Sequence, residues 1–453
     1  MSYDKRDIEG LRAWFVTHMI TEVECLVPDI TGKPRGKIVP ADRYLREGSA
    51  RLPEVIFIQT VDGDWPANDE ELVSPTERDM ILKPDISTVR MVPWVKDPSA
   101  QIIHDCYTMD GEEHPLAPRS VLKRVLRLYE EMGLQPVVAP ELEFFLVQRN
   151  TDPDFPLQPP VGRSGRPETA RQSFSIDAVN EFDPIFEDMY DYCDAMDLDI
   201  DTLIHEAGAA QMEVNFLHGD PLSRADQVFL FKRVMREAAL RHDVYATFMA
   251  KPMAAEPGSS MHVHQSLLET SSGKNVFIGD REDGLSDIFM HYLAGLQNYV
   301  PAAMAIFAPN VNSYRRIARD ESAPINVQWG FDNRTAGLRV PHSKPESTRV
   351  ESRVAGSDAN PYLMFAATLA AGYLGMRDKL EPTAPITTSA YDFPYNLPRS
   401  LESALKLLEE CEPLHDILGP NFVRAYVAVK KTEYEIFFRV ISSWEREFLL
   451  LNV

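Results

Sequence analysis

Pro136-Val137-Val138-Ala139-Pro140-Glu141-Leu142-Glu143-Phe144-Phe145-Leu146-Val147 reads as a β-strand with two unlike faces. At strand period, Glu141 and Glu143 point to one side, and Val138, Leu142, Phe144 and Leu146 to the other. Two carboxylates thus stand over an apolar floor, their Cα atoms roughly 6.6 Å apart at strand rise. Both can be ionised only with a cation close by.

The same alternation returns downstream. Gln211, Glu213 and Asn215 share one face against Ala210, Met212, Val214 and Phe216, and His262 and His264 share a face of residues 261–266. In Leu338-Arg339-Val340 and in residues 349–354, cations and a carboxylate alternate with branched aliphatics. One such strand reads as a solvated sheet face. Several together predict a sheet curled around a polar hollow, because solvated faces seldom set Glu beside Glu next to a Pro-bounded aromatic run. The aliphatic faces would then pack on outer helices. Glutamates with an imidazole are hard ligands suited to Mg²⁺ or Mn²⁺, and arginines on the same surface imply an anionic substrate, for which phosphates fit best. The residues by themselves lead as far as metal-dependent phosphoryl chemistry.

Around these strands the chain reads as α+β. Before residue 110, short extended runs at 22–28, 55–61, 87–94 and 101–107 alternate with turns, and a polar break at Met109-Asp110-Gly111-Glu112-Glu113 sets a boundary between domains 1–110 and 111–453. Beyond it, Pro118 opens a helix whose apolar positions keep helical spacing until Gly133, and helix-then-strand steps recur at 183–196 and 225–242. A Pro- and Gly-bearing loop covers 151–173. Helices at 362–380 and 401–410 and one from 421 to about 451 close the chain. Strands that alternate in polarity point to an antiparallel sheet instead of a doubly wound one.

The chain has 453 residues, with 46 Lys and Arg against 69 Asp and Glu, a formal charge of −23. That balance excludes a basic nucleic-acid or anionic-membrane binder, and 44% hydrophobic residues exclude intrinsic disorder. The longest apolar run, 364–376, is shorter than the roughly 20 residues a bilayer takes. Cys25, Cys106, Cys193 and Cys411 are scattered without C-x-x-C pairing, and the first residues are polar and charged, so a cytoplasmic location is expected. No P-loop and no G-x-G-x-x-G fingerprint is present, so a nucleotide's phosphates would be held by other means.

From about Thr21 to the C-terminus the sequence resembles the glutamine synthetase family. The resemblance lies in Pro140-Glu141-Leu142-Glu143-Phe144-Phe145, in Ala246-Thr247-Phe248-Met249-Ala250-Lys251-Pro252 leading to Gly258-Ser259-Ser260-Met261-His262-Val263-His264, in Asn312-Ser313-Tyr314-Arg315-Arg316, in Asn333-Arg334-Thr335, and in Val350-Glu351-Ser352-Arg353 with Asp358-Ala359-Asn360-Pro361-Tyr362. It implies an N-terminal β-grasp domain, a catalytic domain with an incurved antiparallel sheet flanked by helices, and an ATP-dependent carbon–nitrogen ligase. It further implies that Glu143, Glu206 and Glu213 hold one divalent metal and Glu141, His262 and Glu351 a second, with two or three Mg²⁺ or Mn²⁺ ions per site. Arg316, Arg334 and Arg353 would contact glutamate or the transferring phosphoryl group, with Gly258 and His262 beside them. Arg316, Arg334 and Glu351 would act in catalysis, and His264, Ser266, Arg339 and Arg349 would lie on the nucleotide side. The family's assembly implies a homododecamer of two stacked hexameric rings with active sites between subunits, and the apolar terminus Phe448-Leu449-Leu450-Leu451-Asn452-Val453 suits burial against a partner.

Ammonia-using members carry Phe-Asp-Gly-Ser-Ser where this chain has Phe57-Ile58-Gln59-Thr60-Val61, and a flap glutamate where Ser322 stands in Glu321-Ser322-Ala323-Pro324. Pro257 replaces the Asn that usually precedes the substrate-loop glycine. Loss of two acidic groups dedicated to ammonium, with every metal ligand kept, resembles the γ-glutamylpolyamine (γ-glutamylputrescine) synthetase branch, which joins glutamate to putrescine, spermidine or spermine. The alternatives are a glutamine synthetase using ammonia and a ligase for another amine such as ethanolamine. Trp329, Phe331, Asp332 and Tyr314 are candidates for lining an amine entrance.

Overall fold

The structure, a computed structural model, describes residues 8–169, 171–319 and 323–453. Among the described residues, fourteen strands form two sheets. The first comprises β1 (Glu22–Pro28), β2 (Pro34–Pro40), β3 (Ala50–Pro53), β4 (Asp79–Pro84), β5 (Arg90–Met91) and β6 (Ser99–Tyr107), in the order β2-β1-β6-β4-β3 with β5 paired to β6. The second comprises β7 (Leu134–Gln148), β8 (Ile200–His205), β9 (Gln211–Phe216), β10 (Val244–Thr247), β11 (Met261–Glu269), β12 (Trp329–Phe331), β13 (Leu338–Val340) and β14 (Val350–Ser352). Its order is β12-β13-β14-β11-β7-β9-β8, with β10 paired to β7.

The sheets are mixed, a correction to the purely antiparallel expectation. β1 runs parallel to β6, and the edge strand β12 runs parallel to β13. The chain from β1 to β6 passes through β2 to β5, long enough for the crossover a parallel pair requires. After β12, Asp332 adopts a left-handed backbone (φ 48°), and the loop carries the chain back to the start of β13. The centre of the second sheet is antiparallel as read: Glu141 pairs with His262 across β11 and with Asn215 across β9, and Glu143 pairs with Glu213. This register alone brings the two-faced strands side by side with their polar faces aligned.

Their other faces pack outward. Leu142, Phe144, Leu146, Met212 and Val214 are fully buried. Phe144 meets Phe231 of the helix Pro221–Arg241 at 6.3 Å between ring centroids, and Phe216 meets the same ring edge-on at 5.4 Å. Each such side chain contributes about 1.5–3 kcal/mol by leaving water. The apolar helix Pro361–Arg377 is buried on nearly every side, as its lack of a polar stripe requires.

Local expectations failed where tertiary packing overrode pattern. Residues 55–61 are not a strand: Glu54–Ile58 forms a 3-10 turn, and the neighbours Phe57 and Ile58 are both buried, which a one-sided strand would not allow. Residues 87–94 contain only the two-residue β5, because Asp85 accepts from the Ser87 backbone N–H (3.1 Å) and starts a 3-10 turn. The last helix divides into Pro420–Phe438 and Ser443–Leu449, the second opened by a capping box of Ser442 and Glu445.

Arg119, on the helix Pro118–Glu131, ties the first sheet's region to the helix Pro221–Arg241, which packs on the second sheet. It donates to Asp85 (2.7 Å) and Asp105 (2.6 Å) from the first sheet's region and to both oxygens of Asp226 (2.9 and 2.7 Å), while the Tyr362 hydroxyl also donates to Asp226 (2.6 Å). Among the described residues, no helix is long and apolar enough to cross a membrane.

Candidate active site

The polar faces of β7, β9 and β11 line a cavity of about 390 Å³. Glu141, Glu143, Glu206, Glu213 and His262 stand on its wall, with Arg316, Arg334, Arg339, Arg349 and Arg353 opposite or beside them. Glu351 lies just behind that wall at 1% exposure, bonded to Arg353 and, at 2.8 Å, to Arg339. All six residues expected as metal ligands therefore gather at one place.

Their electrostatic states differ, and the differences have identifiable causes. Glu143 is held by the Ser260 backbone N–H (2.7 Å) and hydroxyl (2.6 Å), yet burial still pushes its carboxyl upward. Glu206 is pushed up to about 7 by burial and then by the charge of Glu143. Glu213 is raised well above the carboxylate range by burial and by Glu141, Glu143 and Glu206. Although burial opposes it, Glu141 is held well below the usual range, because His264 donates from Nε2 (2.9 Å) and His262 lies at 3.4 Å. Glu351, also buried, is held at about 2 by Arg353 and the two histidines.

Two groups of three place one potential ligand atom each within 4.8 Å of one another: Glu141, His264 and Glu351, and Glu141, Glu213 and His262. His264 thus joins the ligand geometry, whereas the sequence had placed it on the nucleotide side. Arg349 donates from Nε to His264 Nδ1 (3.1 Å), which leaves the Nε2 proton aimed at Glu141. Hard carboxylate oxygens and imidazole, clustered without enough internal cations for Glu206 and Glu213, fit divalent metal ions. The Oδ1 of Asn215, on the same wall, is buried without a hydrogen-bond partner among the described residues.

The remaining site residues divide between two cavities. A second one, of about 370 Å³, shares Glu141, Asn215, His264 and Arg349 with the first, and Ser266 lines it alone. Arg339 lines only the first and is engaged by Glu351 and by Asp332 (3.2 Å). Arg316, 3% exposed, donates to the carbonyls of Arg353 (3.2 Å) and Ala355 (2.8 Å). Arg334 is exposed at the cavity, with no hydrogen bond among the described residues. Gly258 must be glycine: a Cβ there would lie 2.5 Å from Arg316 Cγ and 2.7 Å from the Ala250 carbonyl.

The suggested amine-lining residues sit elsewhere. Trp329 and Tyr314 are core residues, Trp329 donating to the Thr383 carbonyl (2.7 Å), and neither they nor Phe331 nor Asp332 line the catalytic cavity. Phe174 does line it, 70% exposed and in the left-handed region (φ 63°). Its loop is pinned by Glu168, which accepts from His205 (3.0 Å) and the Ala210 backbone N–H (2.8 Å) next to Glu206. Ser260 and Glu168 left no periodic signal in the sequence, since each acts through contacts made only by the fold. Pro257 lines the cavity; Glu321 and Ser322 lie outside the described residues.

Residues 115–449 match the sequence model of the family described as glutamine synthetase, catalytic domain. The chain is 34% identical to the γ-glutamylputrescine synthetase PuuA of Escherichia coli over 95% of this chain and 92% of that protein. It is 33% identical to the glutamine synthetase of Pyrococcus abyssi (93% and 92% covered) and 32% identical to the glutamate–isopropylamine ligase of a Pseudomonas species (98% and 97%). Among solved structures, an ADP complex of GmaS superposes with a TM-score of 0.83 at 28% identity, covering 98% of this chain and 99% of that one.

Proposed function

Because the chain belongs to the glutamine synthetase family, whose members are ATP-dependent ligases forming carbon–nitrogen bonds, we propose that it joins the γ-carboxylate of glutamate to a primary amine of putrescine, spermidine or spermine. The carboxylate would attack the γ-phosphorus of ATP, releasing ADP and leaving γ-glutamyl phosphate. The amine nitrogen would then attack the acyl carbon, lose a proton and expel phosphate. The observation that carries the ligase reading is the single cavity in which a carboxylate–imidazole wall faces a set of arginines. Phosphoryl transfer to a carboxylate brings two anions together, and that wall and those guanidinium groups are placed to offset the charge.

In this reading Glu141, Glu143, Glu206, Glu213, His262 and Glu351 hold the divalent ions, with His264 oriented by Arg349 to assist. The ions would draw charge from the phosphate oxygens. Arg334, without a hydrogen bond among the described residues, closes on the transferring phosphoryl group, while Arg316 and Arg353, anchored to the chain, fix the glutamate end together with the Gly258 backbone. ATP would occupy the second cavity, beside Ser266 and Arg349. Residues 1–110 would form a β-grasp domain, the assembly would be a dodecamer of stacked hexamers, and the enzyme would work in the cytoplasm in polyamine catabolism.

The polyamine preference rests on the absence of an aspartate in Phe57-Ile58-Gln59-Thr60-Val61 and on the putrescine-using relative. The second reading, ammonia as the nucleophile, is favoured by the almost equal identity to an archaeal glutamine synthetase. Trapping with hydroxylamine tests the shared first step: glutamyl hydroxamate should form from glutamate and ATP. Its absence, with the protein folded and metal supplied, would sink both readings.

A further inference from the structure

A third cavity, of about 390 Å³, shares no lining residue with the other two. It lies between residues 30–33, the helix Pro221–Arg241 and the helix Pro420–Phe438. In a chain of charge −23, its walls carry Lys33, Lys232, Arg236 and Lys430 against a single carboxylate, Asp358.

Among the described residues only Lys430 has a carboxylate partner, Glu433 at 2.7 Å. Lys33 donates to the Val61 carbonyl (2.5 Å), and the buried Lys232 to the carbonyls of Ser357 (2.6 Å) and Ala359 (3.0 Å). Arg236 has no hydrogen bond among the described residues, and its guanidinium lies 5.2 Å from the centroid of Phe248, while the Lys232 ammonium lies 5.5 Å from that same ring. Asp358 spends one oxygen on Asn310 (2.7 Å) and Ser313 (2.6 Å). Carbonyl contacts hold Lys232 against the loop 357–359 and Lys33 against Val61, whereas Arg236, exposed to solvent, has no hydrogen-bonding side-chain partner among the described residues. Like charges gathered around one ring in a cavity repel each other unless an anion joins them. Burial, and then the charge of Arg236, push the Lys232 ammonium down to about 7 against the opposing pull of Asp358.

We propose that this cavity binds a small oxyanion, a phosphate or a carboxylate group, with Arg236 and Lys33 gripping it above the buried Lys232. The site goes beyond the ligase reading and stands without it. Asn312, on its wall, clamps Lys251 in both directions (2.9 Å each), and the turn that carries Asn312, Val311–Arg315, runs directly into Arg316. An anion here would therefore sit behind the segments that position the glutamate end of the catalytic cavity.

Calorimetric titration of the full chain with inorganic phosphate and, separately, with succinate tests the site and tells the two sources apart. At least one of the two anions should bind saturably. That binding should weaken at least tenfold in Arg236→Gln and in Lys33→Gln and persist in Arg334→Gln, while the initial rate of Arg236→Gln without added phosphate or succinate should match the wild type. If neither anion binds the wild type, or if binding survives both Arg236→Gln and Lys33→Gln, the proposal is overturned. Unaltered melting curves of the variants establish that each is folded.

Discussion

Two of the buried charge clusters among the described residues are built in opposite ways. Around Arg119, each of the carboxylates Asp85, Asp105 and Asp226 has its hydrogen-bonded cation within the chain. In the catalytic cavity, Glu206 and Glu213 face other carboxylates, and burial and mutual repulsion push both carboxyls upward. The first cluster is complete as folded and ties the first sheet's region to the helix Pro221–Arg241. The second is completed only by something added. Buried charge that lacks its counter-charge marks the place where a protein expects a ligand.

That contrast can be broken most severely at Arg119. Arg119→Ala leaves buried carboxylates uncompensated and should cost about 3–5 kcal/mol in denaturant unfolding. A loss below about 1 kcal/mol would mean the cluster does not join the first sheet's region to the helix Pro221–Arg241. In the cavity, Glu143→Gln should instead lower kcat roughly 100- to 1,000-fold, the scale of removing one electrostatic group from a reacting centre. Its stability without metal should hold or rise, so destabilisation like that of Arg119→Ala would erase the distinction.

The pH dependence separates the clusters further. Glu206 has a carboxyl raised by burial and Glu143 to about 7, so its penalty on the folded state is absent below the unfolded carboxylate range, grows as pH rises from there to about 7 and levels off above it. Without metal, stability should therefore fall on the order of 1–3 kcal/mol between about pH 5 and 8. Glu206→Gln should flatten that fall, and saturating Mg²⁺ should do the same in the wild type. A wild-type profile indifferent to Mg²⁺ would remove the metal assignment. The smallest effect is expected at Ser260→Ala, which strips one hydrogen bond from Glu143 (2.6 Å). It should weaken metal affinity about 10- to 100-fold, read as the Mg²⁺ concentration giving half-maximal rate.

The cavity was readable from sequence because its walls are strands. A period of two cannot put Glu141 and Glu143 on one face without putting Leu142 and Phe144 on the other, and the pairing of β7, β9 and β11 follows once those apolar faces share a core. The helix Leu401–Glu410 was equally plain, with its Ser400 cap and apolar stripe. Residues 55–61 misled because an apolar run does not say whether it pairs or turns, and Pro53 with the burial of Phe57 and Ile58 decides for a turn. Helices such as Asp287–Tyr299 drew no expectation at all. Within the site, the sequence separated His264 from the ligand group, since strand alternation gives a face but not a distance. Glu168 and Phe174 come from a loop without period, and only the fold brings them to the cavity.

The nucleophile is the centre of the account, and steady-state ADP release measures it directly. With glutamate, ATP and Mg²⁺ fixed, kcat/KM for putrescine, spermidine or spermine should exceed that for ammonium by at least ~100-fold, about 2.7 kcal/mol of transition-state preference. Strong turnover with ammonium and none with any of the three polyamines would contradict it.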